Sequence, residues 1–164
     1  MNILNAIYKP SLGLLTDLYQ LTMAYGYWKT AVRDLEAVFH LFFRQNPFRG
    51  GFTIAAGLAP AIDFLQDLHF DQADLEYLAA LRGNDEKPLF ERAFLDYLAE
   101  IQLVCDVDAV PEGTVVFPFE PLLRVKGPLI QAQLLESAML NIINFQTLVA
   151  TKAARVVMAA GGDP

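Results

Sequence analysis

Thr16-Asp17-Leu18-Tyr19-Gln20-Leu21-Thr22-Met23-Ala24-Tyr25, followed by Glu36-Ala37-Val38-Phe39-His40-Leu41-Phe42-Phe43-Arg44-Gln45, carries two different periods in close succession. In the first stretch Thr16 or Asp17 can cap a helix running to Lys29, with Leu18, Leu21, Thr22 and Tyr25 along one side. Gln20 stands where an Asp17 cap finds its capping-box partner. The second stretch alternates: Ala37, Phe39, Leu41 and Phe43 point one way, and Val38, His40, Phe42 and Arg44 the other, as in a strand. A helix followed by a strand, with mixed blocks beyond, predicts an α+β fold.

Working outward, Asn46 to Gly51 reads as a loop and Phe52 to Ala56 as a short strand ending at Gly57. Ala59 to Leu68 is helical, with Ile62, Leu65 and Leu68 in register. Asp71 or Asp74 then opens a helix that turns Leu75, Leu78 and Leu81 inward. After Gly83-Asn84-Asp85, Pro88 suits a helix start, with Phe90, Phe94, Leu95 and Leu98 on the buried side. Leu103 to Val110, Thr114 to Phe117 and Leu122 to Val125 read as strands separated by turns at Pro111-Glu112-Gly113 and Pro118 to Pro121. Leu129 to Ala160 is helical and is expected as two helices meeting near Asn144. Gly161-Gly162-Asp163-Pro164 reads as a helix stop with no element after it, the pattern of a truncated domain. A natural small domain with a frayed end is the alternative.

The 164 residues suffice for one domain with a core, or a small domain and part of a second. Hydrophobic residues reach 54%, charged residues 19%, and the mean hydropathy is +0.32. A membrane span needs roughly 18 or more apolar residues in a row. The most apolar region, Leu129 to Ala160, is interrupted by Gln131, Gln133, Glu136, Asn141, Asn144, Gln146 and Lys152. The apolar excess points instead to surface covered by a partner subunit or further chain. A net charge of −7 without a basic run argues against nucleic acid as a partner. The single cysteine, Cys105, cannot form an intrachain disulfide, and Met1 to Leu4 opens no signal peptide. A cytoplasmic location is expected.

No Gly-rich nucleotide fingerprint, nucleophile elbow or Cys/His ligand cluster stands in the sequence, so no metal site and no catalytic group is assigned. His40, on a strand beside Arg44, and His69, after a helix end, read as structural. In Arg44 to Gly51 two guanidinium groups flank a loop whose glycines let backbone N–H groups approach an anion. An ordinary connection with solvated arginines reads equally well. Asp17 and Tyr19 offer a carboxylate and a ring for a flat ligand, or simply a helix cap and a buried tyrosine. Thr151 to Arg155 places Lys152 and Arg155 on one helical face, as an anion site or a solvated face. Glu136 and Arg155 read as opposite charges on neighbouring helices.

Taken in order, these blocks have a common likeness. Leu15 to Met23 with Tyr25-Gly26-Tyr27-Trp28, Phe42-Phe43-Arg44 with Pro47-Phe48, and Ala55-Ala56-Gly57-Leu58 resemble the opening of nicotinate phosphoribosyltransferases. Val110 to Pro118 with Glu120 to Leu123, Leu134-Leu135-Glu136, and Leu148 to Arg155 continue the resemblance in family order. The resemblance implies a type II phosphoribosyltransferase: an amino-terminal α/β sandwich-like domain over residues 1–126, then over residues 127–164 the first helices of an incomplete α/β barrel.

It also implies coupling of nicotinate to phosphoribosyl pyrophosphate, giving nicotinate mononucleotide and pyrophosphate in NAD salvage, with ATP hydrolysis and Mg. Homodimers with shared active sites are implied, in which Asp17 and Tyr19 serve the partner's pocket. Tyr19 would pack on the pyridine ring and Arg44 would reach a phosphate, with Thr151 and Arg155 as weaker candidates. The family's phosphate loops and its phosphorylated histidine would lie beyond Pro164, so the chain alone is expected to be inactive. A non-catalytic dimerisation or regulatory module, or a fragment of a nicotinamide or quinolinate phosphoribosyltransferase, is the competing reading.

Overall fold

The computed structural model describes residues 11–30 and 32–161, so the readings at Met1 to Leu4 and at Gly162 to Pro164 lie outside it. The fold is α+β. Helix α1 (Leu18–Trp28) leads into β1 (Glu36–Leu41), a single 3-10 turn (Pro47–Arg49) and β2 (Thr53–Ile54). Helices α2 (Leu58–Gln66), α3 (Gln72–Ala80) and α4 (Arg92–Ala99) follow. Then come β3 (Asp106–Ala109), β4 (Val115–Val116), β5 (Leu123–Pro128), α5 (Leu129–Leu134) and α6 (Glu136–Ala159).

Two antiparallel sheets form, one in the order β1-β5-β3 and the other pairing β2 with β4. The alternation of β1 holds: Phe39 and Leu41 turn inward while Val38, His40 and Phe42 stay exposed. Leu41 pairs with Leu123 and Phe39 with Val125, so both strands turn the same apolar face to the helices. The strand ends at Leu41 rather than Gln45.

Apolar side chains gather into two cores. One joins Leu41, Leu123, Val125, Phe64 and Val116 to Ala132, Leu135, Met139 and Ile143. The other joins Leu21 and Ala24 of α1 to Leu78, Phe90, Phe94 and Leu98, with Ile130 and Leu134. Helix α5 thus lies between them, its 130/134 face turned to one and its 132/135 face to the other. Tyr25, Trp28, Phe90, Phe94 and Tyr97 pack ring on ring in the second core, with centroids 5.1–6.2 Å apart.

Three expectations are corrected. Pro88 does not start a helix. The Gly83-Asn84-Asp85 turn folds the chain back, the Leu89 N–H donates to the Leu81 carbonyl at 3.0 Å, and Pro88 bridges Arg82 in extended backbone. Helix α4 begins only at Arg92, with Glu91 as its N-cap. The helical tail does not break near Asn144. Met139, Ile143, Thr147 and Thr151 form one buried stripe at four-residue spacing that runs straight past it, and an exposed Asn costs a helix little. The discontinuity lies at Leu135, which keeps right-handed dihedrals (φ −77°, ψ −18°) and so only tightens the turn. Glu136 and Arg155 therefore stand on one helix, not on neighbours.

Candidate functional site

Asp17 is the N-cap of α1 in extended backbone (φ −92°, ψ 149°), and the Asp17 N–H donates to the Gln20 amide oxygen at 3.3 Å. Thr16 donates to the same oxygen at 2.5 Å. With its oxygen occupied at the cap, buried Gln20 sends its amide N–H outward to Glu136 at 3.0 Å. The Tyr19 hydroxyl donates to the other Glu136 oxygen at 3.3 Å, and Ser137 donates to the Asp17 carboxylate at 2.5 Å.

Asp17 and Tyr19 are therefore brought together at the start of α1 and held by the first turn of α6. Both are exposed, Tyr19 by 49%. The reading of Tyr19 as a buried core residue is excluded. Partial desolvation, and after it the charge of Glu136, raises the phenol above the usual tyrosine range, so it remains a donor at neutral pH. Beside this cluster lies a groove of about 210 Å³ lined by Phe39, Leu41, Val125 and Met139, with His40 and Glu136 as its ionisable members.

Arg44 lies apart from this cluster's contacts. It is exposed just beyond β1 and, among the described residues, has no hydrogen-bond or ion-pair partner. The turn after it is strained. Phe48 and Arg49 both adopt left-handed backbone, with φ of 57° and 54°. Arg155 holds this turn from α6. Its guanidinium donates to the Phe48 carbonyl at 3.0 Å and the Pro47 carbonyl at 3.4 Å, and it lies 5.9 and 6.0 Å from the rings of Phe48 and Phe52. A Cβ on Gly50 would sit 1.6 Å from that guanidinium, so glycine is required for this approach.

Thr151, the other weaker candidate, is fully buried. Its hydroxyl accepts the Ile54 N–H at 2.9 Å and donates to the Thr147 carbonyl at 2.7 Å. Thr147 does the same one turn earlier, taking the Ala56 N–H at 3.2 Å and giving to the Ala56 carbonyl at 3.1 Å. Four helical residues rise about 6 Å, close to the roughly 6.5 Å spanned by two strand residues. Thr147 and Thr151 can thus satisfy backbone groups two residues apart on an antiparallel neighbour, and Arg155, one turn further on, reaches the Pro47–Arg49 turn before it. Their polarity is used in holding β2 and the turn.

The glutamate of Pro111-Glu112-Gly113 is likewise occupied. It accepts the Gly57 and Ala59 N–H groups at 2.9 and 3.3 Å, capping α2 from a distant turn. Reading the sequence named Gln20 as the capping partner of Asp17 but missed its bond to Glu136, and it missed Gln133 and Ser137 as neighbours of the candidate site. The available signal was Glu136, the one carboxylate between Leu129 and Ala160.

Comparison with known proteins identifies the fold first. A crystal structure of nicotinate-nucleotide pyrophosphorylase from Pyrococcus furiosus matches 93% of the chain with a TM-score of 0.65 at 20% identity, over 30% of that protein. A crystal structure of human nicotinic acid phosphoribosyltransferase matches 92% of the chain with a TM-score of 0.80 at 43% identity, over 29% of that protein. The class is that of a fold which makes up under a third of each of these two proteins.

The family model for the nicotinate phosphoribosyltransferase (NAPRTase) N-terminal domain matches residues 14–144, and the chain belongs to that family. The nicotinate phosphoribosyltransferase of Caenorhabditis elegans is 45% identical over 148 residues, 90% of this chain and 26% of the relative. That of Bacillus subtilis is 43% identical over 153 residues, 93% of this chain and 30% of the relative. The chain thus spans between a quarter and a third of the length of these curated relatives.

Proposed function

We propose that this chain is the amino-terminal part of an enzyme that joins the ring nitrogen of nicotinate to the sugar of phosphoribosyl pyrophosphate. Nicotinate mononucleotide forms as the bond to pyrophosphate breaks. The observation that carries the reading is the first turn of α1: Asp17 and Tyr19 are exposed yet held by hydrogen bonds, as residues presented to a ligand should be. A half-exposed phenol ring suits stacking on a planar pyridine. Arg44, unpaired among the described residues, keeps its fork of donors available for a phosphate group of the second substrate.

The pocket would be completed by a second copy and by barrel residues. The exposed apolar side chains of α6, Phe145, Leu148 and Val149, support a covered surface there. The division between the two domains, expected after Lys126, falls inside β5, and the family match continues to residue 144. Since α5 packs in both cores and the start of α6 in the first, we place the division within α6.

Among the described residues no three His, Cys, Asp or Glu side chains gather to hold a metal ion. ATP and Mg, which the family resemblance implies, stay part of the proposal for the whole enzyme. No helix among the described residues is long and apolar enough to cross a membrane. A cytoplasmic location stays part of the proposal.

The test joins this chain to the remaining sequence of the Bacillus subtilis relative. Tyr19→Ala should raise KM for nicotinate roughly tenfold, the scale of a lost ring stack. An unchanged value removes Tyr19 from the site. Arg44→Ala should weaken phosphoribosyl pyrophosphate binding by about 2–5 kcal/mol, as expected when a charge pair with phosphate is broken. Nicotinate mononucleotide formed by the 164-residue chain alone would contradict the expected division of the site.

A further inference from the structure

We propose that Glu136 is a positioning residue for nicotinate, fixing the Tyr19 ring through its hydroxyl while Ser137 fixes Asp17. The inference rests on the reading of Tyr19 as the stacking residue and deepens it. Tyr19 stands on the exposed side of α1, where core packing cannot set its side-chain torsions. Its ring enters none of the aromatic contacts that order Tyr25 and Trp28. A side chain so placed would sample several rotamers in solution, and a ligand would have to immobilise it on binding.

The first turn of α6 removes that freedom. One Glu136 oxygen accepts the Tyr19 hydroxyl, and the other accepts amide N–H groups of Gln20 at 3.0 Å and Gln133 at 3.3 Å. Three donors converge on one carboxylate, and among the described residues no lysine or arginine pairs with it. The carboxylate is itself anchored, because Gln20 is fully buried and Gln133 nearly so. Ser137, the next residue, closes on Asp17. Residues 116 to 120 positions apart in sequence therefore form one rigid edge.

The carboxylate makes these bonds charge-assisted. Glutamine has the same shape, and its NH₂ can donate to the Tyr19 hydroxyl while its oxygen accepts from Gln20 and Gln133, but the charge-assisted bonds become weaker neutral ones. Glu136→Gln thus loosens the grip while leaving the apolar contacts of α6 untouched.

In the chain joined to the Bacillus subtilis sequence, Glu136→Gln should raise KM for nicotinate about threefold to tenfold, with kcat changed by less than about twofold. Tyr19→Phe, which keeps the ring and loses the hydroxyl, should do the same. The double variant should be no worse than either single one, because both break a single contact. A merely structural role for Glu136 would lower activity without this split or this coupling.

An unchanged KM in Tyr19→Phe, or additive effects in the double variant, overturns the positioning role. If Tyr19→Ala raises KM while Glu136→Gln does not, Tyr19 remains in the site and the grip alone is rejected. If Tyr19→Ala has no effect, both fail together. In the 164-residue chain itself, NMR titration of the Tyr19 phenol carbon offers a readout independent of activity. Glu136→Gln should move the phenol pKa toward the ordinary tyrosine range, and a titration unaffected by the substitution refutes the contact.

Discussion

The two ends of α6 use polar side chains in opposite ways. At its start, Glu136 and Ser137 reach other side chains, and the groups they hold, Tyr19 and Asp17, remain open to solvent. Three to five turns later, Thr147, Thr151 and Arg155 reach backbone, and their polarity is spent inside the protein. Both ends hold a neighbouring segment in place, but only the first leaves chemistry exposed. The lesson concerns candidates: a polar residue on an apolar helix marks a ligand site only if its partners are side chains that stay accessible. Breaking the backbone-holding end should cost stability, and breaking the side-chain-holding end should cost binding.

The largest effect is expected from Thr147→Val with Thr151→Val. Each substitution keeps the shape and leaves a backbone N–H, of Ala56 or Ile54, without its partner, at about 1–3 kcal/mol each. Urea denaturation should show a loss of about 2–5 kcal/mol for the pair. Glu136→Gln in the same assay should lose under about 1 kcal/mol, since its hydrogen bonds compete with water. Comparable losses at both ends would erase the contrast.

Gly57→Ala comes next. Gly57 has φ of 102°, and a Cβ there would lie 3.0 Å from the Ile142 carbonyl oxygen, in backbone that cannot rotate away. Left-handed backbone alone costs a residue with a side chain about 1–2 kcal/mol, and thermal melting should register at least that.

Gly50→Ala should be milder, about 1 kcal/mol, because the obstructing atom is the tip of a flexible arginine. It should displace Arg155 from the Pro47 and Phe48 carbonyls and so reproduce Arg155→Ala. A double variant equal to either single one would verify that both remove the same clamp.

The smallest effect falls outside both ends, at Cys105 beside Gly127 and Gln131. Burial, aided by the charge of Asp106, pushes its thiol up to about 11. Since the folded state favours the neutral thiol, this contribution to stability is fully present below the ordinary cysteine range. It is lost as the pH rises toward 11. Near pH 8 the thiol should react slowly with a disulfide reagent in the folded chain and quickly once denatured. Equal rates would show that this segment opens freely.

Much of the fold was legible. The helix of Leu18–Trp28, its Asp17 cap and the alternation of β1 follow from local period and chemistry, which the neighbouring residues already carry. The Pro88 and Asn144 boundaries were misread for one shared reason. Pro88 suits a helix start and Asn144 a break on local grounds, but the Leu81–Leu89 return bond and the 139/143/147/151 stripe depend on distant partners. Asp17, Tyr19, Arg44 and the capping role of Gln20 could be named from the sequence, whereas Ser137, Gln133 and the bond from Gln20 to Glu136 could not.

The amino-acid sequence by itself determined the α+β order, the inward face of β1 and the blocks that carry the family resemblance. These rest on periodicity and on side-chain chemistry repeated within a turn or a strand. On α1, by contrast, the buried residues are Gln20, Leu21 and Ala24, and Leu18 of the expected face is exposed. Only the tertiary structure decided that Glu136 grips Tyr19 across 117 positions and that Thr151 takes the Ile54 N–H. Such pairings arise when two cores pack on opposite faces of α5 and bring remote segments within hydrogen-bond reach, and no local pattern encodes that distance.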